Sequence, residues 1–197
     1  MATSSSRRDF LGASAGLAIA ARASADSLAA TFMGSPAFAA DDDEFVPRSG
    51  QYGKDVIWIP TPDSLVTRML QLAQLRESDS LVDLGSGDGK IVIAAARDFG
   101  ARARGIEYTE KMVEFARRSA EKEGVSERAS FEQGDIFESD FSSANVVTMY
   151  LMPNLNLRLR HTLLAMKPGT RVVSHEFRMG DWDITMPTLH WNSTVFQ

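Results

Sequence analysis

Leu81-Val82-Asp83-Leu84-Gly85-Ser86-Gly87-Asp88-Gly89 is the stretch from which the fold can be read. Leu81, Val82 and Leu84 form a short apolar run suited to a buried parallel strand, and glycines at alternate positions follow where that strand must turn sharply into a helix. Glycine permits the tight turn and removes the side chains that would hold a ligand away from the backbone. The next segment, Ile91 to Ala96, supplies the apolar face of a helix whose N-terminal amides point back at the loop and favour a polar or anionic group there. The pattern predicts an α/β fold with a cofactor held at this loop.

The spacing of the glycines narrows the cofactor. A dinucleotide fingerprint needs Gly-x-Gly-x-x-Gly, whereas Gly85, Gly87 and Gly89 give Gly-x-Gly-x-Gly with Asp83 two residues ahead. An acidic residue, one spacer and then Gly-x-Gly-x-Gly is similar to the first motif of the class I S-adenosylmethionine-dependent methyltransferases, the seven-stranded, Rossmann-like family. The resemblance implies a doubly wound sheet in strand order 3-2-1-4-5, with S-adenosylmethionine lying against Asp83, Gly85, Ser86, Gly87, Asp88 and Gly89.

Further acidic positions follow in the order such a site requires. Ala103 to Tyr108 reads as a second strand ending in Glu107, whose carboxylate at that place can accept two hydrogen bonds from a ribose diol, with Tyr108 available beside the adenine. Ala129 to Glu132 reads as a third strand leading into Gly134-Asp135-Ile136. In the family an acidic residue here accepts a hydrogen bond from the adenine amino group, which the resemblance carries to Asp135, with Ile136 flanking the ring. Between the second and third strands, Thr109 caps a helix with an apolar stripe of Met112, Val113, Ala116 and Ala120.

Upstream, Thr61 is predicted to cap a helix with Pro62 at its first position and Leu65, Val66, Met69, Leu70 and Ala73 on its buried face. The preceding Trp58-Ile59-Pro60-Thr61-Pro62 resembles a segment that helps to cover the cofactor in a bacterial branch related to the mitochondrial protein-lysine methyltransferases. That resemblance implies a cofactor contact for Thr61.

A fourth strand, Ala144 to Tyr150, ends in Leu151-Met152-Pro153-Asn154 at the edge where open α/β sheets place their ligands. Tyr-Leu-Met-Pro resembles the Tyr-Leu-Leu-Pro of the same branch and departs from the Asn/Asp-Pro-Pro-Tyr/Phe of many amino-group methyltransferases. Methyl transfer from a sulfonium is an in-line displacement in which the protein chiefly aligns and desolvates the nucleophile. Tyr150 and Asn154 are the candidate catalytic residues, one binding the acceptor and the other orienting it. His175 and Glu176, at the end of a fifth strand, could accept a proton from an ammonium.

Composition bounds the alternatives. The chain has 197 residues, 44% hydrophobic content, no cysteine and a net charge of −5. That is one domain with a sizeable core, without thiolate chemistry and without the clustered positive charge of a nucleic-acid partner. The scattered histidines, His161, His175 and His190, show no metal-ligand spacing. Residues 1–39 resemble a twin-arginine export signal: Arg7-Arg8-Asp9-Phe10-Leu11, an apolar run too short to span a bilayer, and Ala37-Phe38-Ala39 before an acidic run. The expected destination is periplasmic or extracellular, or cytoplasmic if the signal is unused. Residues 40–57 read as a flexible lead-in and residues 58–197 as the methyltransferase domain. Thr188 to Gln197 offers at most one strand, so the C-terminal hairpin of the family is expected to be incomplete.

The leading reading is a methyltransferase acting on a protein lysine or a small amine, with oligomeric state left open. A nicotinamide-dependent reductase is opposed by the glycine spacing. An exported protein that binds an adenosyl ligand without turnover is the non-enzymatic alternative, because the methyl donor is made in the cytoplasm.

Overall fold

A computed structural model describes residues 45–182, 186–187 and 193–196. The proposed signal segment, Arg7 and Arg8 included, lies outside the described residues, as does most of the stretch from 183 to the C-terminus. Helices α1 (Asp63–Leu72), α2 (Lys90–Phe99), α3 (Glu110–Lys122) and α4 (Pro153–Leu164) flank strands β1 (Ser80–Leu84), β2 (Arg102–Glu107), β3 (Ala129–Gln133), β4 (Val146–Met149), β5 (Arg171–His175), β6 (Met186–Pro187) and β7 (Ser193–Phe196). Among the described residues no helix is long and apolar enough to cross a membrane.

The strands form one sheet in the order β3-β2-β1-β4-β5-β7-β6. The first five are parallel, and β7 pairs antiparallel with both β5 and β6. The expected order 3-2-1-4-5 is therefore present. The expected deficit at the C-terminus is corrected: both closing strands are there, but β6 is only two residues long, too short for its side-chain alternation to register in the sequence.

Alternation along the strands divides the core between two faces. Leu81 of β1 and Val146 of β4 pack with the buried stripes of α1, α2 and α3. Val82 and Leu84 of β1, with Val147 and Met149 of β4, pack with Leu155, Leu159 and Leu163 of α4. Both faces of the central strands β1 and β4 are covered, which is why their sequences are mostly apolar. At the N-terminal edge of the sheet, Arg171 donates to the carbonyls of Ala73 and Gln74 and meets Asp79 at 2.6 Å, tying β5 to the end of α1. All chemistry-bearing loops then gather at the opposite, C-terminal edge.

Two local expectations change. Pro62, not Thr61, occupies the N-cap position of α1, and no side chain caps the helix. The fixed φ of Pro62 starts the helix one residue later and leaves Thr61 free of capping. Residues 50–57, read as part of a flexible lead-in, fold with Trp58 as a tight hairpin: Tyr52 bridges Ile57, Gly53 N donates to Val56 O at 2.8 Å, and Trp58 N donates to Gln51 O at 2.8 Å.

Candidate active site

The loops after β1, β2, β3 and β4 and the 50–58 hairpin enclose a cleft at the C-terminal edge of the sheet, with about 1030 Å³ of empty space including its open mouth. Its wall contains Thr61, Asp83, Gly85, Ser86, Asp88, Glu107, Tyr108, Asp135, Ile136 and Tyr150, so the structure brings together most of the residues selected from sequence. Asp83 lies opposite Thr148 in the parallel register of β1 and β4, and Thr148 Oγ1 donates to Asp83 Oδ1 at 2.7 Å. Burial pushes the Asp83 carboxyl up to about 7, the Thr148 bond works against that rise, and the nearby Asp88 and Glu107 charges add to it. Burial likewise raises Asp88, against the pull of the Lys90 amide.

Glu107 organises the loop as well as facing the cleft. Its Oε2 accepts from Gly87 N at 3.1 Å and its Oε1 from Thr109 N at 2.9 Å, so one carboxylate fixes both the glycine turn and the start of α3. Each oxygen retains a lone pair for a further donor. Asp135 is held by Phe137 N on Oδ1 and by Lys54 on Oδ2 at 2.6 Å, and these bonds lower its pKa below the ordinary carboxylate range, the Lys54 contribution being the larger. The same ammonium stands 4.6 Å from the centre of the Tyr108 ring, a cation-π contact.

Three expected residues take other places. Gly87, Gly89 and Asn154 are not on the wall of the cleft. Gly87 is left-handed, and a Cβ there would run into the Trp58 indole, so this glycine makes room for the hairpin. Gly89 faces Phe131 and Ala116, and its missing side chain serves helix-strand packing. Asn154 is exposed on the first turn of α4. The residues that sequence reasoning missed include Lys54 of the hairpin, Met112, Phe137 and Leu155, while Trp58 belongs to the segment expected to cover the cofactor. Met112 carried a helical signal as a core position, and nothing in it distinguished a wall from a core.

The residues present fit S-adenosylmethionine. Glu107 can accept from a ribose diol, Asp135 from an adenine amino group, and Asp83 can face a cation at the methionine end. Gly85 is left-handed at φ 75°, and a Cβ on it would meet Leu151 Cδ2 at 2.9 Å, which keeps that part of the loop close and bare. Ser86 Oγ is buried without a hydrogen-bond partner at the turn, a group awaiting a ligand or water. Among the described residues no cluster of three His, Asp or Glu could hold a metal ion.

Beyond the cofactor wall, Tyr150 follows β4 and meets the imidazole of His175 edge-to-face, with ring centres 4.5 Å apart and planes at 69°. Burial raises the Tyr150 phenol and lowers the His175 imidazole. Of this pair Tyr150 lines the cleft, and His175 meets it from the end of β5.

Comparison with known proteins finds methyltransferases of similar sequence and fold. A model of the ANTKMT methyltransferase domain matches residues 83–186. The protein-lysine N-methyltransferase of Saccharolobus islandicus (strain REY15A) is 46% identical over 151 residues, covering 74% of this chain and 94% of its own length. The adenine nucleotide translocase lysine N-methyltransferase of Mus musculus is 35% identical over 103 residues, and the match covers 52% of this chain and 45% of that protein, under half its length. A solved RNA methyltransferase of Salinibacter ruber, in complex with S-adenosyl-L-homocysteine, is 50% identical with a TM-score of 0.67, covering 70% of this chain and 91% of that one.

Proposed function

The chain belongs to the ANTKMT methyltransferase domain family and is an S-adenosylmethionine-dependent methyltransferase, and from that premise we propose that its acceptor is a lysine amine of a protein. The observation that carries this reading is Tyr150: it closes the cofactor cleft on the acceptor side and presents a half-buried aromatic ring with a hydroxyl, beside which a lysine methylene chain can lie. The relative at 46% identity, which the match covers almost completely, is a protein-lysine enzyme. An RNA acceptor, suggested by the name of the Salinibacter neighbour, is disfavoured by a net charge of −5.

The bound cofactor supplies an activated methyl group on sulfur, and the chain's own residues do the rest. Glu107 and Asp135 fix the nucleoside end, Asp83 and the glycine loop fix the amino-acid end, and the 50–58 hairpin limits water access. Tyr150 then aligns the amine for in-line attack. Tyr150→Ala is expected to keep cofactor affinity within about threefold and to lower methylation by at least about tenfold, roughly 1.4 kcal/mol of transition-state stabilisation. The measurement is transfer of a labelled methyl group to a protein extract and to total RNA, with the modified residue located by mass spectrometry. Label confined to RNA overturns the lysine acceptor. Equal activity in variant and parent overturns the role of Tyr150.

Export by the twin-arginine route is part of the proposal, supported by Arg7-Arg8 and the apolar run behind them. Arg7→Lys with Arg8→Lys is expected to retain the product in the cytoplasm, because a receptor reads the pair as an address. Unchanged delivery on fractionation removes the export reading.

A further inference from the structure

At pH 7 a lysine side chain is an ammonium, with an ordinary pKa of about 10.4, and it carries no lone pair to attack a methyl group. Some group must take its proton before transfer. The turn after β5, whose His175 touches the cleft residue Tyr150, is built in an unusual way. Glu176 has a left-handed backbone with φ 65°, which a residue other than glycine adopts at a cost of about 1–2 kcal/mol. Phe177 N donates to His175 O at 2.8 Å across it, closing a three-residue turn. The strain is braced from the core: Ser174 Oγ donates to Phe177 O at 2.7 Å, and the fully buried Asn156 of α4 donates to the same carbonyl at 3.0 Å and to Ser174 Oγ at 3.3 Å. Strain held by a buried network at a ligand edge points to a functional constraint.

What the turn positions is a linked set of rings and charge. His175 is level with Tyr150, since Met149 pairs with Ser174 in the register of β4 and β5. Its Nε2 lies 3.6 Å from Glu176 Oε2, with the histidine side chain 12% exposed and the glutamate 41% exposed. Tyr150 from β4 and Glu176 from its own strand end both stand against the imidazole, and the sequence of the neighbouring β7, Ser193–Phe196, has no ionisable residue.

We propose that His175 is the proton acceptor for the lysine ammonium, with Glu176 stabilising the imidazolium and passing the proton to solvent, and with Asn156 as a positioning residue for both. This inference rests on the lysine reading above. The ammonium N–H bond breaks with its electron pair left on nitrogen, and the proton moves to His175 Nε2. That pair then forms the N–CH₃ bond while the S–CH₃ pair stays on sulfur, so the products are methyl-lysine and S-adenosylhomocysteine. Burial keeps the imidazole neutral and receptive before transfer, and the adjacent carboxylate supports its charge afterwards.

The test is a pH–rate profile of lysine methylation for the parent, His175→Gln and Glu176→Gln, with S-adenosylhomocysteine binding measured on each to show an intact fold. His175→Gln is expected to lose about 100-fold at pH 7 and to come within about threefold of the parent near pH 10, where the amine sheds its proton unaided. Nuclear magnetic resonance gives a second readout: the His175 imidazole should titrate below the ordinary histidine range, and lower still in Glu176→Gln. A loss equal at every pH overturns the proposal, as does no loss at all or a histidine charged at neutral pH. A parent that methylates no lysine fails before any variant is compared, and so overturns the lysine reading itself.

Discussion

Gly89→Ala is expected to destabilise the protein by about 2–5 kcal/mol while leaving the cofactor cleft chemically unchanged. The backbone at Gly89 is left-handed at φ 83°, which costs about 1–2 kcal/mol for a residue with a Cβ. The added atom would stand 2.7 Å from Phe131 Cε1 and 2.8 Å from the Cβ of Ala116, both buried, so neither neighbour has open space to yield into. Overpacking of that kind adds about 1–3 kcal/mol. For a domain of this size the melting temperature should fall by on the order of 10 °C. S-adenosylhomocysteine should still bind at low temperature, because Gly89 is not on the cleft wall. Lost binding with unchanged melting would show instead that this glycine meets the ligand.

The contrast among the glycines shows where reading a sequence succeeds and where it stops. The motif was legible because its constraints are local: a short apolar strand, a tight turn and a helix start within a few residues. Glu107 and Asp135 were legible for a similar reason, since Glu107 ends β2 and Asp135 lies two residues past β3, each where a strand emerges toward the ligand edge. The motif did not say which atoms each missing side chain makes room for. That depends on Trp58 and Phe131, which reach the loop from distant parts of the chain. Lys54 was illegible on the same ground, because its partner Asp135 is 81 positions away and the hairpin carrying it has no period. On α4, Asn154 and Asn156 look alike in sequence. Helix register against β5 exposes the first and buries the second among Ser174 and Phe177, so the candidate with a structural role was the neighbour of the one chosen.

Asp83→Asn is expected to have opposite effects on the fold and on the site, and the opposition identifies what the buried carboxyl is for. The folded pKa is raised from 3.8 to about 7, so folding takes up a proton between those values. Below about pH 4 folded and unfolded chains both carry the proton and this group imposes no penalty. As pH rises toward 7 the unfolded chain ionises first, stability falls, and above about 7 the ligand-free protein carries the full penalty, on the order of 4 kcal/mol. A neutral asparagine keeps the Thr148 hydroxyl as a donor to its carbonyl and avoids the buried charge. The variant should therefore melt higher than the parent at pH 8, with the difference vanishing near pH 4. Cofactor binding should move the other way. S-adenosylmethionine brings cationic groups to this end of the cleft, so binding favours the ionised carboxylate and releases a proton where the free protein still holds one. Affinity of the parent should rise with pH up to about 7, and calorimetry at pH 6 in buffers of different ionisation enthalpy should register that proton. The variant should lose about 2–3 kcal/mol of binding, roughly 30-fold to 150-fold, together with its pH dependence. If the variant instead binds as tightly as the parent and releases as many protons, Asp83 is a buried packing residue and another group at the glycine loop meets the cation.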